Sequence, residues 1–185
     1  MTETAPDEAQ PHALVELKDH VLVVTMNRPE ARNALSGEML AIMQQAWERA
    51  NEDPEVRVVI LTGAGEKGFC AGGDVRQVRE SILAYRGPAP NPQARAFFSE
   101  EYRLDYHLHT YPKPLLVWGD GVVMGGGLGL MAGASHRVVT ERSRIAMPEV
   151  SIGFYPDVGA SWFLRQMPGQ LGFFLALTGA VLNAR

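Results

Sequence analysis

Cysteine is nearly missing. Cys70 is the only one in 185 residues, so no disulfide can close within the chain and a reducing compartment is expected. Basic charge is also short. The 17 Lys and Arg set against 21 Asp and Glu leave a net charge of −4, without the basic face that nucleic-acid binding needs. The start, Met1 to Gln10, has neither a basic segment nor an apolar one, so no secretory or transit signal is visible and a cytoplasmic location is expected. Metal-ligand spacing is lacking too. Among His12, His20, His107, His109 and His136 only His107-x-His109 is close, and two such residues on a helix do not converge on one ion. No metal is expected. No serine lies in a Gly-x-Ser-x-Gly elbow and Cys70 has no evident histidine partner, so Cys70 reads as a small packing residue. Of long apolar runs there is one, Leu115 to Ala134, interrupted by Asp120 and diluted by seven glycines. That pattern argues against a membrane span.

What is present suits one α/β domain. A hydrophobic fraction of 46% supplies a core. Residues 1–13 hold acids, Pro and Ala without periodicity and read as a loose tail, leaving 14–185 as the core domain. Val21 to Met26 is a β-branched run that predicts a strand, closed by turn chemistry at Asn27-Arg28-Pro29-Glu30. Ser36 predicts a helix cap, with Glu38 in the first turn and Leu40, Met43, Trp47 and Ala50 on the buried face. Val58 to Thr62 reads as a second buried strand. Residues 86–93 hold three prolines and a glycine and predict a loop. Short strands are expected at 138–140 and 145–147, and helix at 163–164 and 171–178. Strands alternating with helices predict a layered structure with parallel pairing.

The helix expected over 94–109 carries an oddity. Phe97, Leu104 and Leu108 form one stripe, and Glu101 lies on it. A carboxylate on an apolar face needs a partner, a task, or a route to water at the stripe's edge.

The chain centres on Asp120-Gly121-Val122-Val123-Met124-Gly125-Gly126-Gly127-Leu128-Gly129, after the strand-like Pro114 to Trp118. Consecutive glycines let a ligand approach backbone amides, and a helix starting there would leave its first N–H groups unpartnered. Gly127-Leu128-Gly129-Leu130-Met131-Ala132 also fits a dinucleotide fingerprint, but Pro148 before the only suitably spaced acid, Glu149, speaks against that. No cofactor is expected. A second turn rich in small residues, Cys70 to Gly73, and two acids, Glu149 and Asp157, complete the set. Together they suggest acyl chemistry: two N–H groups hold a thioester oxygen while a carboxylate works on the adjacent carbon.

Three segments, Asn27-Arg28-Pro29 with Asn33-Ala34-Leu35, Gly68 to Asp74, and Gly121 to Gly127, resemble the crotonase (enoyl-CoA hydratase/isomerase) superfamily. Ala71 to Arg76, Ala146 to Glu149, Phe154 to Gly159 and Phe173 to Gly179 resemble its 3-hydroxyisobutyryl-CoA hydrolase branch. The resemblance implies a ββα superhelix and an acyl-CoA substrate, with coenzyme A part of that substrate. It implies oxyanion donors at Ala71 and Gly126, catalytic acids at Glu149 and Asp157, and substrate contacts at Glu101, Gly126, Glu149, Asp157 and Ala71. Residues 33–35 and 71–75 would wrap the pantetheine and nucleotide. Hydratases of the superfamily resemble a two-glutamate pattern whose first position is Gly129 here. One glutamate instead fits hydrolysis of a short hydroxyacyl thioester in valine catabolism, with Glu149 as nucleophile or base. A hydratase or isomerase, or a non-catalytic acyl-CoA-binding remnant, are the alternatives. Members of the family continue past Thr178-Gly179, so a C-terminal helical part is expected to be missing, supplied by a homo-oligomer or a partner chain.

Overall fold

A computed structural model describes residues 10–184. The backbone starts as a hairpin, β1 (Ala13–Lys18) against β2 (Val21–Met26), antiparallel with Lys18 opposite Val21. The two-residue turn is Asp19-His20, both at positive φ (48° and 68°), the geometry that matches strand twist. Neither residue is glycine, and β1 has no counterpart in the sequence reading. Most of the tail assigned to residues 1–13 lies outside the described residues, and its last member, Ala13, opens β1.

β2 buries alternate side chains, Leu22, Val24 and Met26. Helix α1 (Gly37–Glu52) follows, and the Ser36 hydroxyl accepts from Met39 N at 3.2 Å as the expected cap. Its buried face is Met39, Leu40, Met43, Ala46, Trp47 and Ala50. From there the chain repeats one pattern: a strand in a first sheet, a short strand in a second, then helix. β3 (Val58–Gly63) leads to β4 (Gly68–Cys70) and to α2 (Val75–Ala84) and α3 (Pro92–His109). β5 (Leu115–Gly119) leads to β6 (Val122–Met124) and α4 (Gly126–Gly133). β7 (His136–Val139) leads to β8 (Arg144–Ala146), two turns of 3-10 helix around the short α5 (Ala160–Phe163), α6 (Leu171–Thr178) and β9 (Leu182–Asn183).

The first sheet has the order β1-β2-β3-β5-β7, parallel beyond the hairpin, and the second β4-β6-β8-β9, with β9 antiparallel. This is the ββα architecture that the resemblance implies. One core fills it, from Val24 and Leu61 through Trp47 and Leu104 to Leu130. A smaller cluster, Met147, Val158, Ala160, Leu164 and Leu175, holds the C-terminal segments.

One boundary and one helix differ from expectation. Asn91 caps α3, its side chain accepting from Ala94 N at 2.9 Å, so Pro92 and Gln93 are helical and the loop of 86–93 ends earlier. Proline suits a first helical turn, where its missing N–H is not needed. Helix α2 has no buried residue and was not foreseen. Among the described residues, no helix is long and apolar enough to cross a membrane.

Candidate active site

Both glycine turns lie where a strand of the second sheet ends, and they press on each other. A side chain at Gly72 (φ +95°) would start 3.0 Å from Met124 O and 3.1 Å from Gly126 N. One at Gly127 would meet Cys70 O at 2.5 Å. Only glycine permits this approach. The region 33–35 ties the first turn down. Leu35 N donates to Gly72 O and Asp74 N to Leu35 O, both at 2.9 Å. Buried Asn33 accepts from Arg28 N and donates to Ala64 O and Gly68 O, all at 2.9 Å. Arg28 spans Ala34 O and the Asp74 carboxylate, at 2.8 and 3.0 Å. Residues 33–35, expected to wrap the substrate's nucleotide arm, are thereby one unit with the 70–73 turn.

The donor assignment changes. Ala71 N–H donates to Arg32 O at 3.0 Å, so it is engaged where the resemblance implies a free donor. Its neighbours are also taken: Gly72 N by Cys70 Sγ at 3.4 Å and Asp74 N by Leu35 O. Between them Gly73 N–H meets no acceptor among the described residues. Gly126 opens α4, so its N–H has no intrahelical acceptor. Both glycines face one carboxyl. A methyl group at Gly126 would lie 2.3 Å from Glu101 Oε1, and one at Gly73 3.7 Å from the same atom. The free pair is Gly73 and Gly126.

Glu101 is on the buried face of α3 and 3% exposed, not at a wet edge. Burial chiefly, with Asp157 and Glu149 adding repulsion, pushes its carboxyl up to about 8. It is therefore largely a neutral acid at pH 7.

Glu149 reaches the same turn from the end of β8. β8 ends at Ala146, whose carbonyl accepts from Gly125 N at 3.2 Å. Pro148 then turns the chain into a 3-10 helix that starts at Glu149. Its Oε1 lies 2.8 Å from where a Gly125 side chain would begin. Glu149 is 7% exposed and its Oε2 has no hydrogen-bond partner. Burial pushes it up to about 7, with a lesser contribution from Asp157. Asp157 accepts a 2.7 Å hydrogen bond from the Tyr102 hydroxyl, and burial raises its pKa against that bond.

The structure thus brings Glu101, Gly126, Glu149 and Asp157 into one neighbourhood. Tyr102 and Asp105 of α3 join them unforeseen, though Asp105 stands one turn beyond Glu101 and that spacing was legible. Gly129 has a reason as well. A side chain there would start 2.6 Å from Val158 Cβ, so the loop carrying Asp157 fills the room a glutamate at 129 would need. Cys70 is fully buried and pushed up to about 12 by burial, the state of a packing residue. His107 is half-buried against Gln44 at 2.7 Å, whereas His109 is exposed and edge-on to Trp162. Among the described residues, no three His, Cys, Asp or Glu are arranged to hold a metal.

The ββα fold and the carboxyl groups gathered at the glycine turns agree with what comparison with known proteins finds. The enoyl-CoA hydratase/isomerase family model matches residues 21–185, and the chain belongs to that family. A mitochondrial 3-hydroxyisobutyryl-CoA hydrolase of Danio rerio is 45% identical over 163 residues, 88% of this chain and 41% of the relative. The small ribosomal subunit protein mS47 of Neurospora crassa is 44% identical over 163 residues, 86% of this chain and 31% of that one. Among solved structures, a carnitinyl-CoA dehydratase from Mycobacterium thermoresistibile superposes with a TM-score of 0.89 at 45% identity, covering 94% of this chain and 50% of that chain. The chain therefore spans half or less of the length of these relatives.

Proposed function

We propose that the site hydrolyses a short-chain hydroxyacyl-CoA thioester, first of all 3-hydroxyisobutyryl-CoA, to free acid and coenzyme A, as in valine catabolism. The observation that carries this reading is the packing at Gly129. With Val158 filling that space no glutamate stands at position 129, so two-glutamate hydration of a double bond lacks the group its pattern places there; of the two glutamates that do reach the turn, Glu101 lies against Gly126 and Glu149 against Gly125. The name of the Danio rerio relative supports the same reading.

The thioester carbonyl oxygen takes the Gly73 and Gly126 N–H groups. Glu149 as carboxylate either adds to the carbonyl carbon or takes a proton from the water that does. Charge moves onto the oxygen, where fixed amides stabilise it without reorganising. The carbonyl reforms as the carbon–sulfur bond breaks, and the sulfur leaves as thiolate and picks up a proton. If Glu149 added directly, water then cleaves the anhydride and frees it. A neutral Glu101 beside the donors avoids a like charge next to the developing oxyanion, and Asp157, held by Tyr102, orients groups or shuttles a proton. Residues 33–35 and 71–75 take the pantetheine and nucleotide.

The resemblance to mS47 supports a second reading, a non-catalytic member of the family. Free-thiol release from a panel of acyl-CoA esters, run beside absorbance at the enoyl band, separates the cases. Thiol release is expected. Enoyl loss without thiol would favour a hydratase, and silence on both the non-catalytic reading.

A further inference from the structure

A cavity of about 570 Å³ opens beside Asp157, between α3, α4, α5 and residues 155–159. It continues the proposed site: Tyr102, Gly129, Asp157 and Val158 line it. Asp105 lines it too, and nothing in the thioester chemistry uses Asp105. Both Asp105 oxygens are closed to solvent and neither has a hydrogen-bond partner. An unpartnered buried carboxyl is costly, and a turn of this side chain toward the cavity that its residue lines would let an occupant complete it. Burial foremost, then Glu101 and Asp157, raises Asp105 well above the ordinary carboxyl range and so favours its protonated form, which has one O–H to give and one oxygen to receive.

The surroundings decide what that occupant carries. Three residues earlier on α3, Tyr102 gives its proton to Asp157 Oδ2 at 2.7 Å, which leaves Asp157 an acceptor. The wall opposite is Val158, packed on Gly129. A cationic head would want enclosing aromatic faces. The rings of Tyr106, Tyr155 and Trp162 instead stand at the mouth, 66%, 63% and 56% exposed. A small apolar group with a single hydroxyl, a donor and acceptor at once, matches this lining.

Resting on the thioester reading above, we infer that this cavity receives the acyl group and that Asp105 reads a hydroxyl on it, selecting hydroxyacyl over plain acyl thioesters. Sites that hydrogen-bond a substrate hydroxyl reject analogues lacking it far more strongly than apolar pockets reject a missing methylene.

The test is calorimetric binding of two non-hydrolysable coenzyme A thioethers, one bearing the 3-hydroxyisobutyryl carbon skeleton with its hydroxyl and one without. The wild type should prefer the hydroxylated ligand by roughly 10-fold or more. Asp105→Leu should cut that ratio to below about 3-fold, and Asp105→Asn, which keeps a donor and an acceptor, should retain most of it. A melt no lower for Asp105→Leu than for wild type would show the fold intact, since the replaced carboxyl had no partner. Equal binding of both thioethers by the wild type, or a ratio untouched in Asp105→Leu, would overturn the assignment of Asp105 and leave the thioester reading standing. Failure of the wild type to bind either would overturn the thioester reading itself, and this one with it.

Discussion

Glu101→Gln should make the protein more stable at pH 8 and leave it nearly unchanged at pH 5. The carboxyl is 3% exposed and moved from the ordinary 4.5 to about 8. An acid raised in the folded state keeps its proton there after the unfolded chain has lost it. Folding stability is then complete below the unfolded value and falls as pH climbs toward the folded one. The slope is about 1.4 kcal/mol per pH unit, so between pH 5 and pH 8 the wild type should lose roughly 4 kcal/mol at this one group. Glutamine has the same shape and no proton to lose, so the variant lacks that loss. In a chain this long the gap corresponds to a melting difference of roughly 8–16 °C at pH 8. Urea unfolding of both proteins at pH 5, 6, 7 and 8 is the assay. Asp105, Glu149 and Asp157 are raised in both proteins chiefly by burial, so the larger part of the difference between the curves belongs to Glu101. Parallel stability profiles would refute the argument, and so would a variant less stable at pH 8.

Other expectations concern the site and its surroundings. Thioester hydrolysis should follow a bell in pH, rising through about 7 as Glu149 ionises and falling through about 8 as Glu101 does, read as kcat/KM in buffers of matched ionic strength. A flat profile across that range would remove both groups from the chemistry. Gly129→Ala sets a methyl 2.6 Å from Val158 Cβ, and it should cost roughly 1–3 kcal/mol in urea unfolding and slow turnover by displacing Asp157. Gly37→Ala, with nothing within 4 Å, serves as its silent control. On α6, Phe173, Phe174 and Leu177 are 67%, 55% and 74% exposed, so light scattering should detect association that Phe173→Glu with Leu177→Glu reduces.

How far these features were legible from the chain varies element by element. β2, β3 and α1 announce themselves through β-branched runs, a Ser36 cap and an apolar stripe, and they are observed where expected. Helical spacing put Glu101 on the stripe with Leu104 and Leu108 but left a wet edge open as the ordinary outcome, and only the packing shows that it is buried. β1 escaped because its turn uses Asp19-His20 at positive φ instead of a glycine pair. α2 buries nothing, so no stripe betrays it, and only its cap, Asp74 accepting from Gln77 N, marks its start. That Ala71 N–H is engaged while Gly73 N–H has no acceptor among the described residues was out of reach. It depends on the Arg32 carbonyl, 39 residues earlier, taking the Ala71 N–H. The reason for Gly129 was hidden likewise, since it is Val158, far along the chain, that fills the space.

The central proposal is that Glu149, set against Gly125 of the triple-glycine turn, does the chemistry, and Glu149→Gln tests it most directly. Thiol release from 3-hydroxyisobutyryl-CoA and binding of the hydroxylated thioether are measured on wild type and variant in parallel. Glutamine fills the same space but is a poor nucleophile and base. Turnover should fall by roughly 10²–10⁴-fold, or further if Glu149 adds to the carbonyl, while the thioether binds within about 3-fold of wild type. A variant that releases thiol at near wild-type rate would contradict the account.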